Sequence, residues 1–277
     1  MRLHKFAVLL LVAAVAAAGC GGGVSVEPKV TLKPGKKGNA GGNGDSKAAA
    51  ITQTGTLVGT VIYQGTWTPL SPKMAKGKAT KDPNICAHEK AIVDDSMIVG
   101  ENGGIANVLV YLTDVPAGAR ELVPEIPADP AMFNQVNCTF IPHVLVVRTN
   151  QVVIVTSSDK VLQNTISQPI FSRKFNRGIN FENKVELKYN RAETTPVPVK
   201  CDIHPWMNAY HLALDHPWGT ATSSEQGHEG EFRIENVPVG EWKFRVWHEK
   251  TGGIGGFLEK ALTVKIEADK TTTIDQE

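Results

Sequence analysis

The sequence predicts an all-β protein carried on an N-terminal tether, and three observations predict it. Short runs of β-branched residues are punctuated by Gly, Pro, Asn and Asp from residue 55 onward. No sustained 3.6-residue periodicity appears after the first twenty residues. The stretch 21–54 is rich in glycine and lysine and lacks the apolar residues needed to build a core.

The N-terminus explains the tether. Arg2, His4 and Lys5 precede an apolar run from Phe6 to Ala18 that closes on Ala17-Ala18-Gly19-Cys20. A basic start, a short apolar stretch and a small-residue cleavage site form a secretion signal, and the run is too short to span a bilayer as a folded anchor. With a cysteine at its end, the segment 1–20 resembles the lipobox of bacterial lipoproteins, which implies that Cys20 carries lipid and becomes the first residue of the mature chain. That resemblance places the protein in the cell envelope, lipid-anchored, on the periplasmic face of the outer membrane or at the cell surface. Gly21, standing where an acidic residue would signal retention on the inner membrane, favours the outer membrane. A glycine-rich tether over 21–54 holds the folded part on the order of 30 Å from the bilayer.

Strands are expected at Thr56–Tyr63, Ile105–Leu112, His143–Arg148, Val152–Ser157, Lys184–Tyr189, Val197–Cys201, Phe232–Ile234, Trp242–Trp247 and Leu262–Ile266. The pair flanking Thr149-Asn150 reads as a hairpin. Net charge of +1, without clusters beyond the tether, gives no basis for a nucleic-acid partner. No zinc helix, nucleophile elbow, P-loop or dinucleotide fingerprint is present, so no enzymatic activity is expected. Gly252–Gly256 lacks the strand-to-helix context of a phosphate cradle and reads as a hairpin loop.

The chemistry gathers at Val199-Lys200-Cys201-Asp202-Ile203-His204-Pro205-Trp206-Met207. A thiolate, an imidazole and a thioether spaced C-x2-H-x2-M are the donors of a mononuclear copper site, with the thioether as a weak axial ligand. This motif resembles the ligand loop of cupredoxins, with the short spacing of the amicyanin type. Upstream, Phe140-Ile141-Pro142-His143 and the strand pair that follows, down to Asp159, resemble the cupredoxin segment before the first copper histidine, so the likeness covers about 85 residues. It implies a Greek-key β-sandwich over 130–217, one copper ion, electron transfer and a redox partner protein docking near Trp206. The pattern departs at one place: Gln163 stands where the first histidine ligand belongs. His143 or Gln163 is the expected replacement in the set Cys201, His204, Met207, with His211 and His216 as further candidates.

The segments Gly55–Gly65 and Gly230–Trp247 resemble the two ends of a carboxypeptidase-regulatory or transthyretin-like β-sandwich. On that resemblance, 55–129 and 218–277 are two parts of one sandwich into which, or onto which, the 130–217 domain is inserted or packed. A single larger sandwich is the alternative. Once Cys20 is lipidated, Cys86, Cys138 and Cys201 leave an odd number of thiols. A Cys86–Cys138 disulfide in an oxidising compartment leaves Cys201 for metal, whereas a Cys138–Cys201 bond removes the site. The competing function is a metal-free, tethered binding or structural module with a degenerate copper loop.

Overall fold

A computed structural model describes residues 49–251 and 256–275. The signal, Cys20, most of the tether and the core of the Gly252–Gly256 loop lie outside the described residues. The protein is all-β, and the described residues form sixteen strands: β1 Thr54–Thr60, β2 Leu109–Leu112, β3 Ala131–Val136, β4 Thr139–Ile141, β5 Val144–Arg148, β6 Val153–Thr156, β7 Gln163–Ser167, β8 Phe175–Ile179, β9 Lys184–Leu187, β10 Val197–Lys200, β11 Asn208–Leu214, β12 Gly219–Ala221, β13 Glu231–Pro238, β14 Gly240–Trp247, β15 Phe257–Ile266 and β16 Thr271–Asp275. One short 3-10 turn, Arg120–Leu122, interrupts the Pro-rich connection before β3.

Strands β3 to β11 form two sheets, ordered β5-β11-β10-β7-β8 and β4-β3-β6-β9. β5 runs parallel to β11 and β3 parallel to β6, so neighbours in space are far apart in the chain. The remaining strands form sheets β13-β1-β16 and β12-β2-β14-β15. One apolar core holds Phe133, Phe140, Val153, Val155, Ile179, Val197, Val199, Cys201 and Met207. A second holds Leu57, Val110, Leu112, Trp218, Ile234, Phe244 and Val264. A third cluster, with Leu109, Tyr111, Val144, Leu212, Leu214 and Trp247, packs β5 and β11 against β2 and β14. Large side chains fully removed from water in this way each contribute roughly 1.5–3 kcal/mol. Gly59 in β1 is required by close approach: a Cβ there would lie 2.5 Å from the Ile274 carbonyl oxygen and 2.9 Å from the Phe232 ring.

Two features correct or extend the sequence reading. The pair flanking Thr149-Asn150 is not a hairpin, because β5 joins β11 while β6 joins β3 and β9 in a different sheet. The turn crosses between sheets: Thr149 N–H donates to the Leu214 carbonyl and Asn150 N–H to that of Tyr189. Each strand takes its ladder partners from its own sheet, and the left-handed φ of +65° at Asn150 turns the chain across. The stretch 74–92 forms no long strand. Its apolar side chains, Ala79, Cys86, Ala87 and Ile92, pack into the core built by β3 to β11, and this segment covers the end of that sandwich where the Cys201 loop emerges.

Candidate metal centre

The Cys201 loop is shaped by its strand and by its own backbone. Along β10 the side chains alternate inward and outward, with Val197 and Val199 buried and Pro198 and Lys200 exposed. Continuing that alternation turns Cys201 inward, where it is 2% exposed. Cys201 N–H donates to the Met207 carbonyl at 3.3 Å, and Met207 N–H to the His204 carbonyl at 2.9 Å, closing a tight loop before β11. Met207 is buried at its far side.

Cys201 and His204 meet within this loop. Cys201 Sγ lies 3.8 Å from His204 Nδ1, and the His204 N–H donates to the same sulfur at 3.4 Å. The metal–ligand lengths of about 2.3 Å for sulfur and 2.0–2.1 Å for nitrogen, at a tetrahedral angle, separate two such donors by about 3.6 Å. The observed spacing therefore suits a single ion held between them. Asn164 at the start of β7 fixes the sulfur from the neighbouring strand, its Oδ1 accepting from Cys201 Sγ at 3.2 Å and from Asp202 N–H at 2.9 Å. Burial disfavours charge on both groups, but the partners override it. The His204 side chain and the backbone N–H groups of Asn164, His204 and Ile203 hold the Cys201 thiol below its usual range. In turn Cys201 and Asp82 hold His204 above its own.

His204 is wholly buried, its Nε2 2.9 Å from Asp82 Oδ2 and its ring 5.3 Å from that of Trp206. Trp206 donates its indole N–H to the Cys138 carbonyl, so it is tied to the turn between β3 and β4 rather than standing free. The Cys86–Cys138 disulfide is formed, and Cys201 is a free, buried thiol.

Gln163 is fully buried. Its Nε2 donates to Asp159 Oδ2 at 2.7 Å and approaches Ser157 Oγ at 3.4 Å, while its Oε1 has no hydrogen-bond partner. An orphaned buried carbonyl oxygen is a costly arrangement that a cation relieves, although oxygen is a harder donor than copper prefers. The donor set of this end of the sandwich thus fits a soft or borderline cation through Cys201 and His204, with Met207 in the same loop and an amide oxygen one residue before Asn164.

His143 is elsewhere. Its Nε2 hydrogen-bonds Glu249, its Nδ1 lies 3.1 Å from Asp95 Oδ2, and Lys73 completes the cluster through Asp95. The two carboxylates outweigh burial and raise its pKa to about 9. Both ring nitrogens face carboxylates, so the imidazolium is held as an ion-pair centre, with no lone pair offered to a metal. His143 is therefore not the replacement ligand expected from the sequence: a β5–β6 hairpin would have set the start of β5 beside the end of β6 that leads to Gln163, and the two strands lie in different sheets. His211 hydrogen-bonds Tyr189 through Nδ1 and packs edge-on against Phe133, and burial alone lowers its pKa to about 3. His216 accepts the Trp218 N–H through Nδ1, and burial leads the causes that lower its pKa to about 4. Both are neutral structural histidines. The sequence reading passed over Asn164 and Asp82; Asn164 follows directly on the residue in the missing-histidine position, which was the available signal.

No protein-family model matches the chain, and no curated protein matches it. Solved structures do. A copper-containing nitrite reductase from Thermus scotoductus SA-01 is similar at 14% identity over 33% of this chain, which spans a quarter of that enzyme, with a TM-score of 0.29. A purple cupredoxin from Nitrosopumilus maritimus is 19% identical over 30% of this chain and 99% of its own, with a TM-score of 0.26. Amicyanin from Paracoccus versutus is 14% identical over 38% of this chain and 97% of its own, with a TM-score of 0.28.

Proposed function

We propose that this protein is a lipid-anchored, copper-binding electron carrier of the cell envelope, with Cys201 and His204 as the principal ligands and Met207 and the Gln163 amide oxygen completing the set. The observation that carries the reading is the 3.8 Å approach of Cys201 Sγ to His204 Nδ1 on one closed loop. A bound copper ion would supply the redox couple. The chain's own residues lower the pKa of the Cys201 thiol and so ease the loss of its proton to a metal, orient the imidazole through Asp82 and keep bulk water from the pair. Cys20 attaches the chain to the membrane on this reading, and a redox protein is its partner.

The test is a copper(II) titration of the full chain, followed by visible absorption and electron paramagnetic resonance. One equivalent with a thiolate charge-transfer band that vanishes in Cys201→Ser supports the proposal. Absence of stoichiometric binding overturns it. In that case the metal-free tethered module stands, a reading favoured by one observation: the Gln163 amide N–H is already committed to Asp159.

A further inference from the structure

The Cys201 pair is not the only sulfur chemistry touching His204. Cys86 Sγ, Cys138 Sγ and a ring nitrogen of His204 all lie within 4.8 Å of one another, and all three residues are buried. As a disulfide, the two cysteines offer no thiolate. After two-electron reduction they offer two, beside an imidazole, which is three-quarters of a structural zinc set.

We propose that reduction of Cys86–Cys138 opens a second site, formed by Cys86, Cys138 and His204, that takes zinc(II). The inference draws on His204, which the copper reading also uses, and needs neither Cys201 nor copper. A dithiol reductant transfers two electrons and two protons to the bond, leaving two protein thiols and becoming a disulfide itself. Zinc then displaces one proton from each thiol.

What makes this more than proximity is that neither cysteine depends on the S–S bond for its position. Cys138 N–H donates to Asp159 Oδ2 at 2.8 Å and its carbonyl accepts the Trp206 indole N–H at 3.1 Å. Cys86 N–H donates to the Asp82 carbonyl at 2.8 Å, and the next N–H, of Ala87, to Asn137 Oδ1 at 3.1 Å. These bonds fix both backbones after the sulfurs part, and rotation about the side chains suffices to reach the roughly 3.8 Å sulfur separation of a tetrahedral zinc site. His204 is oriented by Asp82 on Nε2, the carboxylate–histidine arrangement that supports metal ligands. Both cysteines are buried, so the reductant reaches them through local opening of the surface segment around Cys86, where Lys81, Pro83, Asn84 and His88 are exposed.

The experiment uses the full chain, oxidised and then reduced with dithiothreitol and freed of it under anaerobic conditions, titrated with zinc(II) against a chromophoric chelator. One equivalent is expected to bind about a hundredfold more tightly to the reduced chain than to the oxidised one. Cys138→Ser and Cys86→Ser remove that gain, His204→Ala weakens it, and Cys201→Ser leaves it in place. Equal affinity in the two redox states overturns the proposal, as does a gain that survives in the Cys86→Ser, Cys138→Ser double variant or is lost in Cys201→Ser. Circular dichroism accompanies each titration: a reduced chain that unfolds and is not refolded by zinc(II) also overturns it. The copper(II) band of the oxidised chain reports on Cys201 separately, so the two readings fail independently.

Discussion

Asp82 precedes His204 by 122 residues, yet its Oδ2 lies 2.9 Å from His204 Nε2. The carboxylate and the Cys201 sulfur together hold the imidazole above its ordinary pKa despite burial. Asp82→Asn removes one of the two, so the His204 pKa falls, and with it the stabilisation of the Cys201 thiolate, whose pKa rises. Proton NMR of the imidazole and ultraviolet titration of the thiolate read the two shifts, which should be opposite in sign. A variant in which neither moves would show that the contact carries no electrostatic weight.

The His143 cluster makes stability depend on pH. Its folded pKa of about 9 exceeds the 6.5 of an ordinary histidine, so the stabilisation is full below about pH 6.5 and is lost as pH rises through about 9. Chemical denaturation of the full chain across that window should show a fall of a few kcal/mol, flattened in His143→Gln. His143→Ala leaves Glu249 without its cation and Asp95 with Lys73 alone, at a cost on the order of 3–5 kcal/mol.

Gln163→His supplies the imidazole that the loop lacks. Asp159, which now accepts the Gln163 amide N–H, is placed to accept a ring N–H and orient the new ligand. Copper(II) affinity should rise by on the order of tenfold or more, the scale of change that even outer partners of a metal ligand produce. Competition with a copper chelator measures it, and unchanged affinity would place residue 163 outside the site.

Glu193 is a buried anchor for an exposed loop. Its carboxylate accepts the N–H groups of Ile170, Phe171 and Ser172 at 2.8–3.2 Å. Glu193→Ala orphans all three, and amide hydrogen exchange at 170–172 should accelerate sharply while β10 and β11 keep their protection.

Strands with a repeating apolar face were legible in the sequence, as in β1, β10 and β14, where burial alternates and side chains report it. Strands without one were not. β7, with Gln163 and Asn164, and β16, with three consecutive threonines, are held by neighbours rather than by their own pattern. The Cys201, His204, Met207 loop was legible because its donors lie within seven residues. Asp82 was not, since nothing in a local pattern reports a contact spanning 122 residues. The false hairpin at Asn150 has the same origin: two short apolar runs around a turn look alike whether they pair with each other or cross between sheets.

The pairing of β1 with β13 and β16 sets an order of assembly. During synthesis β1 emerges early and waits, both edges without partners, until Glu231–Pro238 and then Thr271–Asp275 have been made. β3 to β11 find all their sheet neighbours among themselves and face no such delay. The protein therefore closes on itself last at the strand nearest its tether, and loss of the final few residues would uncover an edge of β1, the kind of unpaired strand from which aggregation begins.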